Sequence, residues 1–404
     1  MRLQIEDPNA RPAQGFAFFS AGFRPFFPFA GLSAAVTVLV WLVQFYGLGS
    51  LKLPFDPMLW HAHEMVFGFT SAVLAGFLLT AVPNWTGLDH IEGTALKTLF
   101  FIWLAGRLAF LAAGILPDWL VMLCDLSFIP ILIIFVLPPI VQAGNSRNYI
   151  FLPLIAAFWA TNIFSHLGLA LNVSIALAGL HAGIYVALCL IALVGGRVIP
   201  SFTSNGLRMA GNPAPEITTP PLLDRWAMPI VALCGVVDVF LPGTIATTVV
   251  MLFAAGWHFL RMSKWRSLST FGQPLVWILH VGYFFLPLGL ALRGLSAVVP
   301  AIPASASLHM LTLGAVGCMA IAIMSRAALG HSGRALKPSP ITVLAYICII
   351  CAVLIRSLTP IFVPALQVTY GMGISGGLWS LGWLLFVWVY LPIGIKPRPD
   401  GRPG

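Results

Sequence analysis

Residues 58–82 read MLWHAHEMVFGFTSAVLAGFLLTAV. A helix of that length rises about 37 Å, more than the ~30 Å of hydrocarbon in a bilayer, so this run is long enough to cross a membrane. It opens on three ionisable side chains, His61, His63 and Glu64, and stays apolar to Val82. A charged group inside a membrane helix costs roughly 2.5 kcal/mol or more, which makes an intramembrane His or Glu a functional-site hypothesis. The competing reading makes Trp60 and His61 interfacial anchors, with only His63 and Glu64 inside.

The rest of the chain has the same character. Of 404 residues, 59% are hydrophobic and only 8% charged, whereas about 25% of residues are charged in a soluble domain. The composition is that of an all-α polytopic membrane protein in one integral membrane domain. Twelve spans are expected, at 27–47, 58–82, 95–115, 118–141, 148–170, 173–196, 222–241, 243–261, 273–295, 303–326, 339–361 and 371–394. The connections between them are too short to hold a soluble domain. Residues 16–27 read as an interfacial or re-entrant lead-in, and the first 25 residues lack the basic start and short apolar core of a signal peptide. Cys124, Cys189, Cys234, Cys318, Cys348 and Cys351 all lie in apolar stretches and read as buried small hydrophobes. Cys348 and Cys351 have CxxC spacing in mid-helix without a following His, which supports neither haem attachment nor a thioredoxin-like site.

The net charge of +9 does not point to nucleic acid, because the basic residues are spread through short loops rather than gathered in a patch. Instead they orient the chain. Seventeen of the 21 Lys and Arg fall on the side that holds both termini, and Lys52 alone falls on the other. By the positive-inside rule both termini are expected in the cytoplasm. The remaining three, Arg107, Arg293 and Arg356, lie within helices three, nine and eleven, in their outer halves. Arg293 can be read as snorkelling to the interface. Arg107 and Arg356 sit deeper and are expected to meet an anion.

Helices two, six and ten repeat one another. Each has a His near its outer end and a polar turn closing on glycine on the inner side: His63 to Gly87, His181 to Gly206 and His309 to Gly333, spans of 24, 25 and 24 residues. Twelve helices thus read as three units of four, 27–141, 148–261 and 273–394. Membrane proteins built from repeats place their sites where the repeats meet. His63, His181 and His309 are then expected at one depth, about 10 Å below the outer surface, with Arg107, Asp125, His166, Asp238 and Arg356 in the same layer.

Imidazole suits iron, copper and zinc, and haem iron is commonly held by axial His. A non-covalent, b-type haem needs one or two such ligands, a slot and cations for its propionates. Gly68, Gly76, Gly179, Gly183, Gly314 and Gly317 are candidates for the slot, and Arg107, Arg293 and Arg356 for the cations. Met65, Met310, Cys189 and Cys318 are near enough in sequence to consider for copper. A lone His on an apolar helix is ordinarily a hydrogen-bonded packing residue, which is the reading for His258 and His280; His90 and His331 fall in loops. His61 and His63 are nearly opposite on a helix and cannot both face one metal, whereas Glu64 shares a face with His61. Haem-copper oxygen and nitric oxide reductases also have twelve helices, but they carry an adjacent His-His pair that this chain lacks.

At these residues the chain resembles the NnrS family. The resemblance is carried by Trp60 to Phe69, Ala75 to Gly87, Gly196-Arg197-Val198-Ile199-Pro200, Met324 to Arg334 and the lead-in Gly22-Phe23-Arg24-Pro25-Phe26-Phe27, and spans nearly the whole chain. It implies a twelve-helix bacterial inner-membrane protein linked to nitric oxide stress and denitrification, containing haem and copper. It does not bring a settled reaction, substrate or electron donor. The expectation is a haem- and copper-binding protein of nitric oxide defence, acting by binding or redox conversion at an outward-facing site. One or two of His63, His181 and His309 would ligate iron, His61 and Glu64 would support a metal or proton path, and Arg107, Arg293 and Arg356 would neutralise propionates. The alternative is a repeat-built transporter for an anion or metal ion.

Overall fold

A computed structural model describes residues 15–49, 53, 56–211 and 216–401. Arg2, Arg11, Lys52 and Arg402, which enter the charge count above, lie outside the described residues. Among the described residues there is no strand, and twelve helices carry the fold. They are α1 Phe23–Phe45, α2 Pro57–Thr86, α3 Gly93–Leu111, α4 Asp118–Gln142, α5 Ser146–Leu169, α6 Val173–Met209, α7 Pro221–Phe240, α8 Ile245–Trp265, α9 Pro274–Ser296, α10 Ala304–His331, α11 Pro340–Phe362 and α12 Pro364–Ile395. All but α7 are long and apolar enough to cross a bilayer. Asp224, Arg225 and Asp238 dilute the apolar run of α7.

Three boundaries differ from expectation. α6 runs on to Met209, well past 196, and α10 runs on to His331, so His331 ends a helix rather than lying in a loop. Hydropathy falls where the hydrocarbon ends, but the backbone has no reason to unwind there. The 37 residues of α6 rise about 55 Å. Nor is the aromatic lead-in re-entrant over 23–27, since α1 already begins at Phe23. Arg24 is buried there, and its Nη1 donates to the carbonyls of Gly394 at 3.0 Å and Lys396 at 2.8 Å. A cation at the end of α12 answers the unpaired carbonyls and negative dipole of that terminus. Ala17 N–H also donates to the Ile395 carbonyl at 2.9 Å, so the two ends of the described chain meet at one end of the bundle.

α12 packs along α1 and α11, α1 along α2, α5 along α6, α6 along α7, and α9 along α8 and α10. Glycines make these approaches close. A Cβ at Gly76 would meet the Phe27 ring, at Gly183 the Phe67 ring, at Gly314 Phe285, at Gly317 Trp379 and at Gly179 the backbone of α5. The glycines expected to form a cofactor slot are therefore helix–helix contacts, the usual use of small residues in membranes. α2, α6 and α10 meet one another at the far end of the bundle, away from the termini.

Candidate functional site

A cavity of about 710 Å³ opens at that far end, within the 300–1,000 Å³ range of cofactor and ligand pockets. Its walls come from the last turns of α1, α9 and α11 and the first turns of α2, α6, α10 and α12. They are mostly apolar, with Phe69, Leu180 and Trp379 among them, and five basic side chains interrupt them: His61, His181, His309, Arg293 and Arg356.

Two of these imidazoles have a defined state of bonding. His309 Nδ1 lies 2.7 Å from the Ser305 carbonyl one turn back. A carbonyl only accepts, so Nδ1 carries the proton and Nε2 keeps its lone pair. His61 packs on Trp41, ring centroids 4.9 Å apart, and its Nδ1 is buried with no hydrogen-bond partner. Arg356, 9% exposed, has no hydrogen-bond or ion-pair partner among the described residues. It shares the cavity wall with His61 and His309. His181 and Arg293 line the same cavity, and Arg293 is paired with Asp238. Arg293 Nε donates to both Asp238 oxygens at 2.9 and 3.0 Å, and Tyr185 donates to Asp238 at 2.9 Å.

The local backbone is irregular where it meets the cavity. α2 becomes π-helical over Glu64–Phe69 and α10 over Met310–Gly317, each just past its histidines; α12 does so over Gln367–Gly371. A π turn widens the helix and frees carbonyls, and such turns are frequent at functional sites. In α2 the freed groups have partners: Trp103 Nε1 donates to the Gly68 carbonyl at 3.0 Å and Thr70 to the Met65 carbonyl at 3.1 Å.

His63 is not in the cavity. It points to the other side of α2, as two residues of helix require, into a buried cluster with Glu64, Arg107, Asp125, Asn162 and His166. Arg107 donates to Glu64 Oε1 at 2.8 Å and to Asp125 Oδ1; Asp125 Oδ2 takes Asn162 at 2.8 Å and His166 at 2.9 Å. His63 Nε2 is 3.0 Å from Asn162 Oδ1, and its Nδ1 is 3.4 Å from Glu64. Ligand atoms of His63, Asp125 and His166 come within 4.8 Å of one another. Yet Arg107 already occupies the shared carboxylate, and a metal ion there would sit against a guanidinium. The arrangement is an ion-pair network closed within the protein, with Arg107 Nε left buried without a partner.

The expected layer therefore divides. His181, His309, Arg293 and Arg356 share the cavity, His61 takes the place expected for His63, and Glu64 leaves His61 to bind Arg107. The anion expected for Arg107 is protein, Glu64 and Asp125, and Asp238 plays that part for Arg293. Of the copper candidates, Met65 lines the cavity, while Met310, Cys189 and Cys318 are packed in the core. His258 bonds Tyr283 at 2.8 Å, and His280 bonds Thr203 at 2.8 Å and Ser267 at 2.9 Å, as packing histidines do. Sequence reading missed Trp41, Asn162 and Tyr185, which carry no charge or motif to announce them.

A protein-family model described as NnrS protein matches residues 17–398, nearly the whole chain, and the chain belongs to the NnrS family. No curated protein matches it.

Proposed function

We propose that this NnrS-family membrane protein, tied to the nitric oxide response, holds a haem in the far-end cavity and binds or converts nitric oxide there. One observation carries the reading: His61, His309 and Arg356 line one cavity, and each has a polar group without a protein partner. His61 has a buried nitrogen without a partner, His309 has Nε2 left bare by its bond to Ser305, and Arg356 has no anion. These residues fit an iron porphyrin, whose iron takes axial imidazoles and whose carboxylates take cations. When bound, haem iron supplies a site that ligates a diatomic gas and exchanges electrons.

The chain's own part is to hold and to shield. His309 is fixed in one tautomer by Ser305, and Trp41 restricts the ring of His61. Arg356 supplies the charge that a carboxylate needs at this depth, and Arg293 lines the same cavity. Phe69, Leu180 and Trp379 keep the space apolar. For copper we propose the same cavity, where His181 and the Met65 thioether are suitable donors. The distribution of basic residues supports a cavity at the outer face of a bacterial inner membrane, with both termini cytoplasmic.

The absorption spectrum of purified protein tests the assignment. A Soret band is expected in wild type and in His63→Ala, and its loss in His61→Ala and His309→Ala. Wild type without the band, loaded with haem or not, would sink the haem reading; anion or metal uptake into liposomes by that pigment-free protein would move the assignment to transport.

A further inference from the structure

Six arginines are buried among the described residues: Arg24, Arg107, Arg261, Arg293, Arg326 and Arg356. Four give donors to protein oxygens, Arg107 to Glu64 and Asp125, Arg261 to Asp224, Arg293 to Asp238 and Arg24 to the last carbonyls of α12. Arg356 lines the cavity at the far end. Arg326, 8% exposed, shares its condition: it too has no hydrogen-bond or ion-pair partner among the described residues. It stands at the opposite end of α10, five residues before that helix closes at His331, whose carbonyl accepts from Arg398 of the C-terminal segment at 2.8 Å. Its Cζ lies 3.9 Å from the centroid of the Phe202 ring on α6. Arg197, sixteen residues past His181 as Arg326 is seventeen past His309, differs. It donates to Asn148 Oδ1 at 3.3 Å and to the Arg147 carbonyl at 2.8 Å.

We propose that Arg326, laid on Phe202, is an anion site at the end of the bundle that holds the termini, and that it takes a phosphate-type oxyanion: the phosphodiester of a phospholipid or free phosphate. A buried cation without a counter-charge is unfavourable, so an acceptor from outside the chain stabilises it. The ring covers one face of the guanidinium and fixes its orientation, while the N–H edge stays free. None of its nitrogens is a fully enclosed atom without a partner, so the edge is open to a ligand. Such an edge matches two oxygens of a phosphate group in parallel hydrogen bonds. Depth selects the anion. Phe202 lies six residues past the point, near 196, where the apolar run of α6 gives out, a rise of about 9 Å, which reaches the headgroup layer of a bilayer. A single guanidinium holds an oxyanion weakly, and headgroups are the phosphates present there at high local concentration. Phe202 is a positioning residue, and the site lies at the other end of α10 from His309, so it owes nothing to the haem reading.

Native mass spectrometry of the full chain, stripped of lipid in detergent and then titrated, tests the site. The probes are phosphatidylglycerol, a diacylglycerol with the same acyl chains, and inorganic phosphate. Wild type is expected to retain phosphatidylglycerol and not the diacylglycerol. The affinity for the tightest-bound phosphatidylglycerol should fall roughly tenfold in Arg326→Gln, the strength of a charged hydrogen bond, and roughly threefold in Phe202→Leu. Arg225→Gln removes an exposed charge from the same end and should leave that affinity unchanged. Millimolar phosphate that displaces the lipid from wild type, and does so less well from Arg326→Gln, would show that free phosphate shares the site; phosphate without effect would leave the lipid as its source. Wild-type affinity in Arg326→Gln, or a loss no larger than that in Arg225→Gln, overturns the proposal. Should Arg326→Gln not fold, unchanged affinity in Phe202→Leu overturns it instead.

Discussion

His61 and His63 stand two residues apart on α2 and live in opposite worlds. On the His63 face, Glu64, Arg107, Asp125, Asn162 and His166 bind one another and every charge has its counter-charge within the protein, with Arg107 Nε left buried without a partner. On the other face, His61, His309 and Arg356 line the cavity; His61 Nδ1 is buried without a partner, His309 Nε2 keeps its lone pair, and the Arg356 guanidinium has no ion-pair partner among the described residues. Burying polar groups is unfavourable unless they are paired. The paired face serves the fold; the cavity face is where we propose that a ligand binds.

Substitutions on the two faces should therefore differ in sign as well as size. Asp125→Ala removes the shared acceptor of Arg107, Asn162 and His166, and is expected to destabilise by about 3–5 kcal/mol, the usual cost of stranding one partner of a buried ion pair. Thermal unfolding in detergent reads it, and a midpoint close to wild type would show the cluster to be dispensable. Gly68→Ala comes next. Its methyl group would press on the Arg107 guanidinium and stand 3.2 Å from Glu64 Oε2, for an expected loss of about 1–3 kcal/mol by overpacking; the same melt measures it. Arg356→Met should move the other way. The cofactor-free protein is expected to gain about 1 kcal/mol by losing a buried unpaired charge, while haem retention falls roughly tenfold. A less stable Arg356→Met variant would mean that the guanidinium has a partner in the folded chain after all. The smallest effect is that of Trp41→Leu, which frees the His61 ring. Haem retention should fall by about threefold, as befits a ring contact of about 0.5–1.5 kcal/mol, with the unfolding midpoint nearly unchanged.

Much of this was legible without coordinates. Runs such as 58–82 and 173–196 demanded membrane helices, because nothing else satisfies the backbone in hydrocarbon. The intramembrane histidines and arginines stood out for the same reason, since each is costly where it sits. The α2, α6 and α10 helices were singled out by their recurring His and do line the cavity; their threefold repeat remains a proposal. What could not be read was the partner of each charge. Arg107 and Arg356 look alike in sequence, each a lone arginine in the outer half of a helix. One finds Glu64 and Asp125 and the other finds no carboxylate among the described residues. Asn162, which completes the cluster from α5, has no sequence signal at all.

The sequence by itself determined that this chain folds into a dozen helices, eleven of them long and apolar enough to cross a membrane, belongs with the NnrS proteins and carries polar side chains near one end. The 3.6-residue turn determined as well that His61 and His63 cannot look the same way. Only the tertiary structure decided which of the two faces the cavity, because that depends on how α2 is rotated against its neighbours. The rotation follows from packing at Gly68 and Gly76, from the π turn after His63 and from the pull of Arg107 and Asp125, contacts made with residues on other helices. Periodicity sets the angle between two side chains on one helix; long-range contacts set where that angle points.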